Sequence, residues 1–159
     1  MTYTNGRARN VRVLTSPAPH VMSAPEAANL AGVTYRQLDY WSRKGWVVPA
    51  HVERVSAGRQ LRRYGEADVL RLAALAHLGR SGLDVAAFGA QVGVLDLGED
   101  SLVVVGPEAE LAVVAAGDLR AHLARPGRYV VFDPGPHRRG LSQRRRSEDV
   151  PSLAERRSA

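Results

Sequence analysis

Apolar residues in the stretch "SAPEAANLAGVTYRQLDYWSRKGW" recur at helical spacing in two short groups, separated by a glycine. Ala27, Ala28 and Leu30 form the first group, and Val33, Leu38 and Trp41 the second. Each group is preceded by a start signal. Ser23, Pro25 and Glu26 make a capping box with proline in the first turn, and Thr34 with Gln37 repeats the box. The spacing therefore predicts two short helices around a turn at Gly32, the outline of a helix-turn-helix. Gly45 closes the second helix as a left-handed C-terminal residue. Val52 and Val55 before "SAG", with Leu61 and Tyr64 after it, predict a hairpin whose tip lies near Ala57-Gly58.

A longer apolar pattern, "GEADVLRLAALAHLGRSG", predicts a third helix from about Glu66 to Arg80. A fourth follows, capped by Asp84, with Val85, Phe88 and Val92 on one side. The period then changes. "SLVVV" and "LAVVA" read as strands around a "GPEA" turn. "GDLRAHLAR" (Gly117–Arg125) reads as a short helix, and "RYVVFD" as a third strand. The simplest reading is a ββαβ unit over 101–133, joined by a linker at 93–100. Its strands are too apolar to stand alone, which predicts a homodimer formed through this unit by sheet-edge pairing or face-to-face packing. The alternative is that the sheet docks onto the helix from Glu66 to Arg80 within one chain. Residues 1–22, with Arg7, Arg9 and Arg12, read as a flexible basic arm, with Met22 as an alternative start. Residues 134–159 carry many Arg, Ser and Pro and read as a disordered basic tail. The fold class is α+β.

Charge sharpens this picture. The 159 residues hold 22 Lys+Arg against 16 Asp+Glu, a net +6 with a pI near 10.4. Such a balance suits a polyanion, most often nucleic acid. The chain contains no cysteine, so disulfides, thiolate zinc sites and thiol redox sensing are excluded. The five histidines are scattered without ligand spacing, and no carboxylate pairs with a nucleophile or base. No metal, no cofactor and no enzymatic activity are expected. Neither an apolar run of about 20 residues nor a signal-like block is present, so a cytoplasmic location is expected.

The second helix interleaves aromatic and basic or amide side chains. With Leu38 and Trp41 turned inward, Tyr35, Arg36, Gln37, Tyr40 and Arg43 point away, and Trp46 joins Trp41 as a core residue. A helix in the major groove needs polar groups near its N-terminus for base edges, and cations and hydroxyls along its flanks for phosphate. Arg36 can fork onto guanine and Gln37 can offer an amide to adenine. Thr34 and Lys44 bound this candidate surface. The hairpin adds Arg54, Arg59, Arg62 and Arg63 as a basic wing. The bland alternative is a solvated surface, which an exposed helical arginine usually is.

The stretches "AGVTYRQLDYW", "RKGWVVP", "RRY" and "LGRSGLDVAAF", in that order and spacing, resemble the winged helix-turn-helix domain of MerR-type transcriptional regulators over residues 23–92. The "TYRQLDYW" form resembles an actinobacterial subgroup with a small β-rich C-terminal domain. The resemblance implies that the helix at Thr34–Lys44 enters the major groove and that the wing meets flanking phosphates. It further implies a dimer on pseudo-palindromic promoter sites in double-stranded DNA, with RNA polymerase as a further partner. It makes Tyr35, Arg36 and Tyr40 helix contacts, and it sets Arg62 at the family's wing-end arginine. Three departures accompany it. Asp39 replaces a common arginine and removes one phosphate contact. No heptad helix for an antiparallel coiled coil follows residue 92, and no cysteine is available for metal or redox sensing. An excisionase-like architectural DNA-binding protein and a ligand- or protein-binding adaptor are the competing readings. The folded second half disfavours the former, and salt-sensitive DNA binding would exclude the latter.

Overall fold

The computed structural model describes residues 20–55, 58 and 60–148. The first helix, α1, spans Ala24–Ala31. Glu26 Oε2 accepts from the Ser23 backbone N–H at 2.8 Å and from the Ser23 hydroxyl at 2.7 Å, tying off the helix start. Gly32 at φ 68° supplies the left-handed turn, and the Val33 N–H reaches back to the Ala28 carbonyl at 2.9 Å. Helix α2 spans Tyr35–Arg43, and Gly45 at φ 72° ends it.

Strand β1 (Met22–Ser23) pairs with β3 (Gln60–Tyr64), which pairs with β2 (His51–Arg54), all antiparallel. The hairpin is thus the wing that the valine–leucine spacing predicted. Its expected tip includes Ala57, outside the described residues. Met22 is a correction to the arm at 1–22: it is a buried strand residue, matched to Tyr64. The rest of that arm through residue 19 lies outside the described residues.

Helix α3 (Glu66–Arg80) is the central element. Val69, Leu72, Ala73, Ala74, Leu75 and Leu78 are all fully buried, because different faces of the helix meet different neighbours. It packs against α1 on one side and α4 (Val85–Gly93) on another. The Asp84 carboxylate caps α4 by accepting from the Ala86 N–H at 2.9 Å. Trp46 lies directly on Gly89 and Gly93 of α4, where a β-carbon would collide with its ring or its backbone. Trp41 is buried and Trp46 packs on the same core, as their apolar spacing requires.

The second sheet runs β5–β4–β6, all antiparallel, with β4 (Ser101–Val105) between β5 (Leu111–Ala115) and β6 (Val130–Phe132). Between β5 and β6 lie one 3-10 turn, Ala116–Asp118, and one turn of helix, α5 (Leu119–His122), shorter than the expected Gly117–Arg125. Pro126 and Gly127 follow within a few residues, leaving little room for a longer helix. Val103, Val105, Val130 and Phe132 belong to the same apolar core as α3. The sheet therefore leans on the helical half of the same chain. Leu102 and Val104 point the other way by strand alternation and are also buried. The segment at 93–100 is no free spacer. Leu95 and Leu97 pack on the core, and their carbonyls accept from Arg71 and Arg138 respectively.

The disordered tail requires the largest correction. Residues Gly135–Glu148 form helix α6, whose first N–H is held by the Asp133 carboxylate at 2.7 Å. It packs against α1 and α3. Leu141 is buried there, and His137 Nδ1 lies 3.1 Å from the Leu30 carbonyl. Arg144 and Arg145 pair with Glu26 and Glu66. A polar, arginine-rich helix is held here by one leucine face and by carboxylates that the rest of the chain supplies. Residues 149–159 lie outside the described residues.

Candidate nucleic-acid interface

Two elements meet at the basic face, α2 and the wing. Leu38 and Trp41 are buried, 1% and 5% exposed, which fixes the rotation of α2 about its axis. That rotation turns Tyr35 (59% exposed) and Tyr40 (51%) outward, together with Arg36, Arg43 and Lys44. Tyr40 is held rather than free. Its ring stands edge-on to Trp46 with centroids 5.9 Å apart, and Lys44 Nζ lies 5.6 Å from its centroid. Its hydroxyl end is thereby carried on a stiff mount, suited to a phosphate oxygen.

Gln37 and Thr34 have another task than base readout. The Thr34 backbone N–H and hydroxyl both donate to Gln37 Oε1 at 2.9 Å, and the Gln37 N–H donates to Thr34 Oγ1 at 3.2 Å. Bidentate reading of adenine needs that same Oε1, so the proposed adenine contact conflicts with the cap that starts the helix. Arg36, one position earlier, is exposed and carries no such duty.

The wing arginines separate by strand register. Arg54, on β2, is exposed and sits opposite Gln60. Arg63 is half-buried between its neighbours Ser23 and His51. Arg62 turns toward α2, where its Nη1 donates to Asp39 Oδ1 at 3.0 Å. Asp39 also receives Arg43 Nη2 at 2.7 Å. Arg59 lies outside the described residues. Between α2, the start of α1 and the wing runs a groove of about 700 Å³, lined in part by Tyr35, Asp39, Gln60, Arg62 and Ser23. In the sequence Asp39 reads only as a missing arginine. The i,i+4 spacing to Arg43 signals half of its role, whereas the cross-fold bond to Arg62 has no local signal.

Behind this surface the scaffold is pinned by a second polar joint. The Ser42 and Tyr64 hydroxyls lie 2.9 Å apart, linking α2 to β3. Asp68 is the buried acid of the core. It accepts from the Gly65 N–H at 2.8 Å and from Arg71 at 3.3 Å, and burial pushes its carboxyl above the usual carboxylate range despite both partners. Among the described residues no three His, Cys, Asp or Glu side chains cluster as metal ligands. Among the same residues no helix is long and apolar enough to cross a membrane.

Two helices around a tight turn, followed by a two-stranded wing with basic flanks, define a winged helix-turn-helix domain. Comparison with known families agrees: residues 22–87 match the family described as MerR HTH family regulatory protein. That segment is a helix-turn-helix domain of the MerR type. Three curated relatives are each 41% identical over 61 residues, one from Mycobacterium bovis and two from strains of Mycobacterium tuberculosis. All three are named uncharacterized HTH-type transcriptional regulators. The match takes in 38% of this chain and 27% of each relative, so the chain spans about a quarter of the length of these relatives.

Proposed function

We propose that the protein is a sequence-specific, double-stranded-DNA-binding transcriptional regulator that acts by binding rather than catalysis. The observation that supports this most is the joint exposure of Tyr35, Arg36, Tyr40 and Arg43 on one face of α2, beside the wing arginines. In this reading Arg36 carries base readout, while Tyr35, Tyr40, Arg43, Lys44 and Arg54 hold phosphates. The names of the mycobacterial relatives point the same way for the shared domain.

The regulator works as a homodimer on pseudo-palindromic sites, since a two-fold site calls for a two-fold protein. Support for assembly through the second sheet comes from its outer strand. β5 has no charge and no proline across Leu111–Ala115, and Val113 is 40% exposed. Natural edge strands usually carry such protection. Val104 is fully buried within its own chain, so a charge there would damage the fold itself, whereas the exposed Val113 can report on assembly.

Fluorescence anisotropy with labelled duplex at two salt concentrations tests the first claim. Salt-sensitive binding is expected, and its absence would favour a protein- or ligand-binding adaptor. Sedimentation of the wild type and of Val113→Lys tests the second, with a dimer and a monomer as the expected results.

A further inference from the structure

Asp39 is the sole acid in α2, placed in the middle of a face built from cations. Its two oxygens are divided between two guanidiniums, Oδ2 taking Arg43 at 2.7 Å and Oδ1 taking Arg62 at 3.0 Å. The Asp39 side chain is 23% exposed, against 72% for Arg43 and 32% for Arg62, so the carboxylate lies deeper than either arginine. One of these arginines belongs to the same helix and the other to the wing. The acid therefore joins the two halves of the DNA-facing surface and withholds a cation on each from phosphate.

We propose that Asp39 is a positioning residue for discrimination: it fixes Arg62 against α2 and holds Arg43 and Arg62 back from phosphate on non-cognate DNA. The proposal rests on the DNA-binding reading above. Partly exposed ion pairs are weak, so a well-placed phosphate can displace the carboxylate. A duplex seated in register by Arg36 brings phosphates to both arginines together. A duplex seated out of register does not, and must compete with Asp39 for each. The wing does not come loose during the exchange. Ser42, one helical turn beyond Asp39, still meets Tyr64, two strand residues beyond Arg62. The pair Asp39–Arg62 can open while Ser42–Tyr64 stays shut.

The test uses the full chain and its Asp39→Asn and Asp39→Glu variants. Each is titrated into a random-sequence duplex, and into a duplex whose site the wild-type protein has selected from a random pool. Each arginine released to phosphate steepens the salt dependence by about 0.9 in log–log slope. The Asn variant is expected to bind random duplex more tightly at low salt. Its advantage should shrink about 3- to 4-fold per released arginine between about 50 and about 200 mM salt. Its preference for the selected site should fall, while the Glu variant keeps the wild-type preference. Adding Arg62→Gln to the Asn variant should remove part of the gain. A role in stability alone would lower both affinities together and leave the salt slope unchanged, and that result would overturn the proposal. So would an Asn variant that fails to fold. If the wild type itself showed no salt-sensitive binding, the DNA-binding reading would fall and take this inference with it. A wild type that binds beside an unchanged Asn variant removes this inference alone.

Discussion

Tyr64 and Ser42 stand 22 residues apart in the chain, yet their hydroxyls meet at 2.9 Å. The tyrosine is fully buried at the end of β3, and the serine is half-buried near the end of α2. A buried hydroxyl needs a partner, so this bond sets where the wing leaves the core. Tyr64→Phe should cost about 1 kcal/mol, the usual net value of one hydrogen bond. Tyr64→Ala should cost about 3–5 kcal/mol through the lost ring. Urea unfolding of the two variants checks the gap between them, and equal losses would mean that the hydroxyl, not the ring, carries the joint.

Trp46 on Gly89 invites a sterically defined test. A β-carbon at Gly89 would collide with the indole ring, which is also in T-shaped contact with Tyr40. Gly89→Ala should therefore destabilise by about 1–3 kcal/mol, as overpacking does. It should also disturb Tyr40 and weaken DNA binding, an effect that a substitution such as Ala90→Ser on the exposed side of α4 should not share. Thermal melts and anisotropy on the same two proteins separate the outcomes.

Most of the helix-turn-helix was legible because its signals are local. Capping boxes, the left-handed glycines at 32 and 45 and the inward Leu38 and Trp41 all lie within a few residues of what they determine. The candidate surface was half legible for the same reason: helical period alone turns Tyr35, Arg36 and Tyr40 outward. What those side chains are bonded to was less so. Gln37 serves the cap and Arg62 serves Asp39, and only the second depends on a residue far along the chain. Helix α6 was missed because its composition is that of a tail. One leucine in fourteen residues gives no period, and the core that Leu141 enters is built from residues far earlier in the chain.

Arg36→Ala should reduce specific binding by about 1–3 kcal/mol and relax preference at one base pair per half-site. Arg54→Ala should weaken binding to all sequences alike and make the salt slope shallower by about 1. Selection of sites from a random pool with each variant reads both effects. Matching sequence profiles for the two variants would show that the base-reading and phosphate roles are assigned to the wrong residues.

Asp68 gives stability a pH dependence of uncommon sign. Burial raises its carboxyl above the ordinary value, so the folded protein keeps a proton that the unfolded chain has lost. Where the folded state binds more protons, stability falls as pH rises. This contribution thus declines from about pH 4, the unfolded value, up through the raised folded value, and is level above it. Glu26 runs oppositely: the hydroxyl and N–H of Ser23 hold it below the usual range, so its stabilisation is lost only as the medium turns strongly acid. Unfolding of the wild type and Asp68→Asn across this range checks the sign. The wild type should lose ground to the variant as pH rises, and the reverse trend would contradict a raised carboxyl.

Helix α6 owes its order to docking. A 14-residue segment rich in arginine is marginal as an isolated helix. Its hold on the fold includes Leu141 in the core, His137 at the Leu30 carbonyl, Arg138 at the Leu97 carbonyl, and the pairs Arg144–Glu26 and Arg145–Glu66. The ion pairs are partly exposed and contribute little. Leu141 therefore dominates, and Leu141→Ala should cost about 2–5 kcal/mol of docking energy, comparable with the whole hold. Trypsin reads this directly, because it cuts after arginine and needs extended backbone. The wild type should resist cleavage at Arg138, Arg139 and Arg144, and Leu141→Ala should be cut there quickly while the remainder up to β6 persists. The double variant Glu26→Gln/Glu66→Gln should stay largely protected. Rapid cutting of that double variant, with protection retained in Leu141→Ala, would transfer the anchoring role from the leucine to the ion pairs.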